Sequence, residues 1–482
     1  MTDFSKSTTP TILIVFGATG DLMRRKLIPS LYQLYQQKLL PPLFHVIGYS
    51  RREWSDDEFR ALVSESLHGR IKNIDDGVIH PFLHLFSYSS GLFDTVDGYN
   101  KLAKRLGVRD KEWSTCANKF FYLAVPPEYY ETIFRHLADS HLATSHSKES
   151  GWTRVIVEKP FGKDLKTAEK LDALLGKLFS EEQIYRIDHY LGKETVQNIL
   201  AFRFSNSFLE HTWNRHFIER IHIKISERIG IEGRGEFFDG VGLLRDVGQN
   251  HMLQLLALFT MDTPQDFDPQ TVRAKRAEVL RALQLFTSRD VTEHTIRAQY
   301  DQYKNEKNVD PSSNTETYYL IRAFIKNARW RGVPIILENG KSLKDEIVKI
   351  SVKFRHPTPC LCPEGKHFHN VLRYQIQPDE RITISFWVKR PGTEILIEEK
   401  DFAFDYKQAY PDTEFMGPYE KLLLDVLDGN QTLFVSTAEI MASWRFVDNI
   451  LSAWKRGKQP ILTYAPGSDG PLERTTLYPS SG

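Results

Sequence analysis

The chain has little of what would place it in several protein classes. Its 482 residues include three cysteines, Cys116, Cys360 and Cys362, too few for a disulfide framework and suited to a reducing compartment. No apolar run approaches the roughly 18 residues of a membrane span, and the opening MTDFSKSTTP lacks the apolar core of a secretory signal. An excess of one charge is missing too. Lys and Arg number 63 against 62 Asp and Glu, a net charge of +1, so there is no global electrostatic drive toward nucleic acid or a membrane surface. There is no internal repeat and no low-complexity tract. The expectation is a soluble, cytoplasmic protein with local anion sites, and a chain this long should divide into two domains.

Residues 11–16 (TILIVF) form a β-branched and aromatic run closed by Gly17, and residues 21–38 follow with apolar spacing at Leu27, Leu31 and Leu34. This is strand, tight turn, helix. Further strands are expected at 45–49, 119–125 and 154–158 with helical stretches between, the pattern of a doubly wound parallel sheet. Beyond about residue 200 the pattern alternates instead. Ile221, Ile223 and Ile225, then Val348, Ile350, Val352 and Phe354, then Ile382, Ile384, Phe386 and Val388 each skip one polar or exposed position, as half-buried strands do. The expected fold is an α/β Rossmann-like domain over 10–188, followed by an α+β domain over 189–482 with a large, mainly antiparallel sheet. Ser436 and Glu439 make a capping box that opens a helix through Trp454. Residues 1–9, 305–313 and the tail after Pro466 have the composition of disorder.

Gly17, Ala18, Thr19, Gly20, Asp21 and Leu22 lie between the first strand and its helix, where glycines let backbone approach a pyrophosphate and the helix start offers amide donors. G-x-x-G alone is an ordinary turn. The end of the second strand adds to it, because Arg51 and Arg52 stand where NAD enzymes place an acid for the ribose hydroxyl. Cations there suit a 2′-phosphate and point to NADP rather than NAD.

The string RIDHYLGKE at residues 186–194 places a carboxylate, an imidazole, a phenol and an ammonium close together. Asp188 can orient a distant histidine, while His189, Tyr190 and Lys193 can donate to phosphate oxygens. This string closely resembles the active-site signature of the glucose-6-phosphate dehydrogenase family. The resemblance extends to GATGDL at 17–22, to EKP at 158–160 and to RDVGQNH at 245–251, in consistent order along nearly the whole chain.

The resemblance implies a specific set of roles. Arg51 binds the 2′-phosphate, and Tyr130 contacts the cofactor. Lys159 touches both ligands, across a Lys159–Pro160 bond that is cis in the family. His251 is the general base, oriented by Asp188. His189, Tyr190 and Lys193 hold the substrate phosphate; Glu227, Asp246 and Lys341 bind the rest of the sugar phosphate. Substrate and cofactor would be glucose 6-phosphate and NADP, and the assembly a homodimer or homotetramer paired through the large sheet. Met23 stands where the family often has alanine, and Glu346 where it usually has a basic residue. The resemblance calls for no metal, although Cys360, Cys362, His367 and His369 offer four ligand types in ten residues; C-x-C and H-x-H are not zinc-finger spacings. Two other functions fit parts of the pattern, a glucose-fructose oxidoreductase type of enzyme and a non-enzymatic NADP sensor.

Overall fold

The computed structural model describes residues 9–71, 74–143, 151–356, 359, 367–457 and 459–478. The chain divides into two compact units. The first contains residues 1–193 and takes in two returning segments, 267–273 and 416–440; the second contains 194–266, 274–415 and 441–482.

In the first unit six parallel strands form one sheet: β1 (Thr11–Phe16), β2 (Phe44–Ser50), β3 (Phe86–Ser90), β4 (Asn118–Leu123), β5 (Thr153–Val157) and β6 (Ile184–Arg186). Their order is β3-β2-β1-β4-β5-β6, that of a doubly wound dinucleotide-binding fold. Every residue of β1 and β2 is buried. That explains why these strands read as continuous apolar runs: helices cover both faces of such a sheet. The helix after β1 starts at Asp21, widens into a π turn at Met23–Leu27 and continues through Ile28–Gln36. Met23 is fully buried there, so the larger side chain has been accommodated in the core.

The returning segments are tied in by a buried arginine. Arg186, at the end of β6, pairs with Asp172 at 2.8 Å and with Glu181 at 2.9 Å, and donates to Thr437 Oγ1 at 2.9 Å. Arg273 joins the same Glu181 at 2.6 Å. The capping box is present as expected: Ser436 N and Oγ both donate to Glu439, at 2.8 and 2.6 Å, before the helix Thr437–Arg456.

The second unit is built on nine strands. These are β7 (Ile218–Ser226), β8 (Thr295–Tyr300), β9 (Tyr318–Ala323), β10 (Ile335–Gly340), β11 (Ile347–Phe354), β12 (Val371–Gln377), β13 (Arg381–Lys389), β14 (Ile397–Asp405) and β15 (Leu462–Tyr464), in the order β14-β13-β12-β11-β7-β10-β9-β8-β15. The sheet is mainly antiparallel, with β7–β10 and β8–β15 as its parallel pairs.

Two stretches expected to be disordered are ordered. Asp239 accepts from Asp310 N at 3.1 Å and from the Ser313 hydroxyl within 305–313, and from Tyr303 Oη at 2.9 Å just before it. A fixed carboxylate there replaces water as the partner of a polar loop. After Pro466, Gly467 N donates to Ser342 O and Lys344 N to Ser468 O, each at 2.8 Å, and the Tyr478 ring lies 4.4 Å from that of His222. Residues 1–8 and 479–482, as well as Cys360 and Cys362, lie outside the described residues. No helix among the described residues is long and apolar enough to cross a membrane.

Candidate active site

In the first unit the candidate residues follow the carboxyl ends of parallel strands. Gly17 has φ +80, and a Cβ on it would lie 2.3 Å from Ala124 O; a residue with a side chain is excluded both by conformation and by space. Its amide donates to Tyr49 O at 2.9 Å, Gly20 N returns to Gly17 O at 2.9 Å, and Thr19 Oγ1 lies 3.1 Å from Ser50 Oγ. The turn therefore packs against the ends of β2 and β4, where the strand order reverses and where ligands bind in such sheets. Arg51 and Arg52 are exposed just past β2, with Arg52 5.0 Å over the Trp54 ring.

Tyr130 needs a correction as a direct cofactor contact. It is fully buried, and its hydroxyl donates to Glu158 O at 3.0 Å, so it supports the end of β5 from below. The neighbouring Tyr129 is the exposed ring. Lys159 follows Glu158 at that strand end, and the Lys159–Pro160 peptide is cis.

The loop after β6 is closely folded. Ile187 N donates to Val157 O at 3.0 Å, and Ile187 bridges to Phe434. Asp188 is buried and its Oδ1 accepts from Tyr190 N at 3.0 Å. The Tyr190 and His189 rings meet edge to face at 5.1 Å, and the Lys193 ammonium sits 4.0 Å from the Tyr190 ring. Gly192 is the close-contact residue, since a Cβ there would come within 2.8 Å of Pro418 O. His189, Tyr190 and Lys193 thus form one cluster, whereas Arg186 is occupied by its structural carboxylates.

In the second unit two candidates meet. Gly340 is registered against Ser226 in the parallel β7–β10 pair, so the next residues, Lys341 and Glu227, emerge side by side. Their side chains pair at 2.7 Å, with Lys341 only 1% exposed. Glu346 and Lys344 are both exposed in the following turn.

Asp246 and His251 lie on a π-helix, Leu244–Met252, which runs on into the α-helix Leu253–Thr260. His251 is 2% exposed, and every residue from Leu253 to Thr260 is buried. In an α-helix residues five apart point about 140° away from each other; the wider i→i+5 winding of a π-helix brings Asp246 and His251 closer in direction than that. The helix start is fixed by the buried Glu316, whose side chain accepts from Leu244 N at 3.0 Å while its carbonyl accepts from Leu243 N at 3.1 Å. Burial pushes the Glu316 carboxyl above its ordinary range. Neither Glu316 nor the structural use of Glu158 was visible in the sequence, because each depends on partners far along the chain.

A glycine turn at the switch point of a doubly wound sheet, followed by cations, marks the class of dinucleotide-binding proteins. Residues 14–198 match the family model "Glucose-6-phosphate dehydrogenase, NAD binding domain", and residues 200–482 match "Glucose-6-phosphate dehydrogenase, C-terminal domain". The chain belongs to the glucose-6-phosphate dehydrogenase family. It is 40% identical to glucose-6-phosphate 1-dehydrogenase of Treponema pallidum over 99% of this chain and 95% of that one. With the enzyme of Borreliella burgdorferi the identity is 39%, over 96% and 95%. Among solved structures, a glucose-6-phosphate dehydrogenase in complex with its substrate glucose 6-phosphate superposes with a TM-score of 0.91 at 34% identity, covering 98% of both chains. The Mycobacterium avium glucose-6-phosphate 1-dehydrogenase gives 0.83 at 31%, covering 97% of both.

Proposed function

We propose that this protein oxidises glucose 6-phosphate at its anomeric carbon to 6-phosphogluconolactone, the first step of the oxidative pentose phosphate route, with NADP as the oxidant. The full-length family match carries this reaction. Bound NADP supplies the hydride acceptor. The chain fits it: the Gly17 turn leaves no room for a side chain, and Arg51 offers an exposed guanidinium beside it for the 2′-phosphate.

The remaining roles belong to the chain's own side chains. His251 takes the proton from the anomeric hydroxyl, and Asp188 orients the imidazole and stabilises its charged form. His189, Tyr190 and Lys193 anchor the phosphate, so that binding energy remote from the reacting carbon positions it. Glu227 and Asp246 accept from sugar hydroxyls, Lys341, paired with Glu227, binds the substrate, and Lys159 contacts both ligands. Tyr130 acts by holding the strand end that carries Lys159. The cofactor domain spans 10–188 and the substrate and assembly domain 189–482.

The protein works in the cytoplasm as a homodimer or homotetramer paired through the nine-stranded sheet. Phe386, Phe402 and Phe404 on β13 and β14 support this, being 42%, 62% and 41% exposed; apolar surface of this kind marks contact faces. Light scattering on the purified protein should give at least twice the chain mass.

The reaction is tested by product stoichiometry. Glucose 6-phosphate should yield NADPH and a lactone trappable by hydroxylamine in equal amounts. Sugar oxidation coupled to fructose reduction without net NADPH would instead favour the glucose-fructose type, and binding of NADP without turnover would favour a sensor.

A further inference from the structure

Glu158 carries no role in the reaction described so far, yet it is held from three directions. Tyr122 Oη on β4 donates to its Oε1 at 2.5 Å, Tyr419 Oη donates to the same oxygen at 3.3 Å, and Tyr130 Oη donates to its carbonyl at 3.0 Å. Tyr419 belongs to the helix Pro418–Asp428, in the segment that returns to the first unit. The residue keeps some accessible surface, but its carboxylate is enclosed. On one side of it the chain continues into Lys159. On the other, the backbone bond from Ile187 to Val157 attaches the Asp188 loop to the same strand end.

Two tyrosines converging on the carboxylate, with a third on the carbonyl of the same residue, exceed what a strand terminus needs for its backbone. We infer that Glu158 is a positioning residue: its carboxylate, clamped by Tyr122 and Tyr419, fixes the strand end that presents Lys159 to substrate and cofactor. The charges that face it fit this role. Burial raises the Glu158 carboxyl; the two tyrosine hydrogen bonds and the Lys159 ammonium favour its charged form, and the Asp188 carboxylate opposes it. The inference rests on the assignment of Lys159 as a contact to both ligands.

Glu158→Gln removes the charge while keeping the shape. With folding checked by circular dichroism and melting, it should raise KM for glucose 6-phosphate and for NADP by about 10-fold each, the scale of one charge-assisted hydrogen bond, and change kcat by less than about threefold. Tyr122→Phe and Tyr419→Phe each delete one donor and should raise both KM values less. The acid-side rise of KM should also move to higher pH, because the carboxylate loses a group that favours its charged form. A clamp of purely structural importance would leave that pH dependence where it is.

The tyrosine variants carry the test if Glu158→Gln does not fold. Unchanged KM values and pH profiles in them, or a fall in kcat with KM intact in Glu158→Gln, would overturn the inference. Lys159→Ala separates its failure from that of the underlying assignment. Wild-type KM values in that variant reject the role of Lys159, whereas raised values there with normal ones in Glu158→Gln reject Glu158 alone.

Discussion

The two sheets solve the same problem differently. In the six-stranded sheet all strands run one way, so the residues after β1, β2, β5 and β6 emerge at one edge, and the glycine turn, Arg51, Lys159 and Asp188 all lie there. The nine-stranded sheet is mainly antiparallel, and neighbouring strand ends there alternate in direction. Its contribution of paired side chains, Glu227 and Lys341, comes from the parallel pair β7–β10. In both units, then, the proposed binding groups follow the carboxyl ends of parallel strands, and the proposed base lies on a π-helix of the second unit. The proposed division, cofactor recognition by the first unit and proton transfer from the second, can be broken by mutation.

The largest effect should come from the second unit. His251→Asn should lower kcat by about 100-fold to 10,000-fold, the range for loss of a general base, while KM for NADP stays near its wild-type value. Steady-state kinetics decide it; near-normal turnover would remove His251 from the proton transfer.

A second test asks whether the nine-stranded sheet also carries buried charge for stability alone. Glu338 is almost fully buried; burial would raise its pKa, but a hydrogen bond from His222 at 2.8 Å and the charges of Lys224 and Arg474 hold it down from 4.5 to about 2, while burial holds the His222 imidazole itself below its ordinary range. A folded pKa below the unfolded one means that the ionised group stabilises the fold fully above about 4.5 and loses that contribution as pH falls through about 2. Glu338→Gln should therefore cost on the order of 3 kcal/mol at neutral pH, with little change in KM for NADP. The melting gap to wild type should shrink steadily on acidification below pH 4.5. A gap independent of pH would show that the carboxylate contributes nothing through its charge.

Lys193→Ala should weaken glucose 6-phosphate binding by about 1.5–3 kcal/mol, the worth of a charged hydrogen bond, and leave slow oxidation of free glucose nearly unchanged. Equal losses with both sugars would give Lys193 a role other than holding phosphate. The smallest effect belongs to the exposed Arg51 in the first unit. Arg51→Ala should raise KM for NADP by about 1–2 kcal/mol in binding terms, with a much smaller change for NAD and none in kcat at saturation. Equal effects on both cofactors would mean that the 2′-phosphate is read elsewhere.

The parts legible in the sequence were those whose signal is local. Continuous apolar strands such as TILIVF, alternation in β7 and β11, the glycine turn and the Ser436–Glu439 box each declare themselves within ten residues. The candidate site was legible as residue types in a recognisable order. What stayed hidden depends on partners distant in the chain. Residues 305–313 look disordered until Asp239 supplies their hydrogen bonds, and the carboxylates that hold Arg186, those of Asp172 and Glu181, stand outside the RIDHYLGKE string. The π-helix at Leu244–Met252 breaks the period on which a helical face is read, so the interior place of His251 is not declared by the residues around it.

The most direct test of the account is the initial rate of NADPH formation by the wild-type protein, with glucose 6-phosphate against free glucose and NADP against NAD. The account predicts the highest kcat/KM for glucose 6-phosphate with NADP, a loss when the sugar lacks its phosphate and a loss when the cofactor lacks its own. No reduction of NADP by glucose 6-phosphate, or equal efficiency with free glucose, would contradict it.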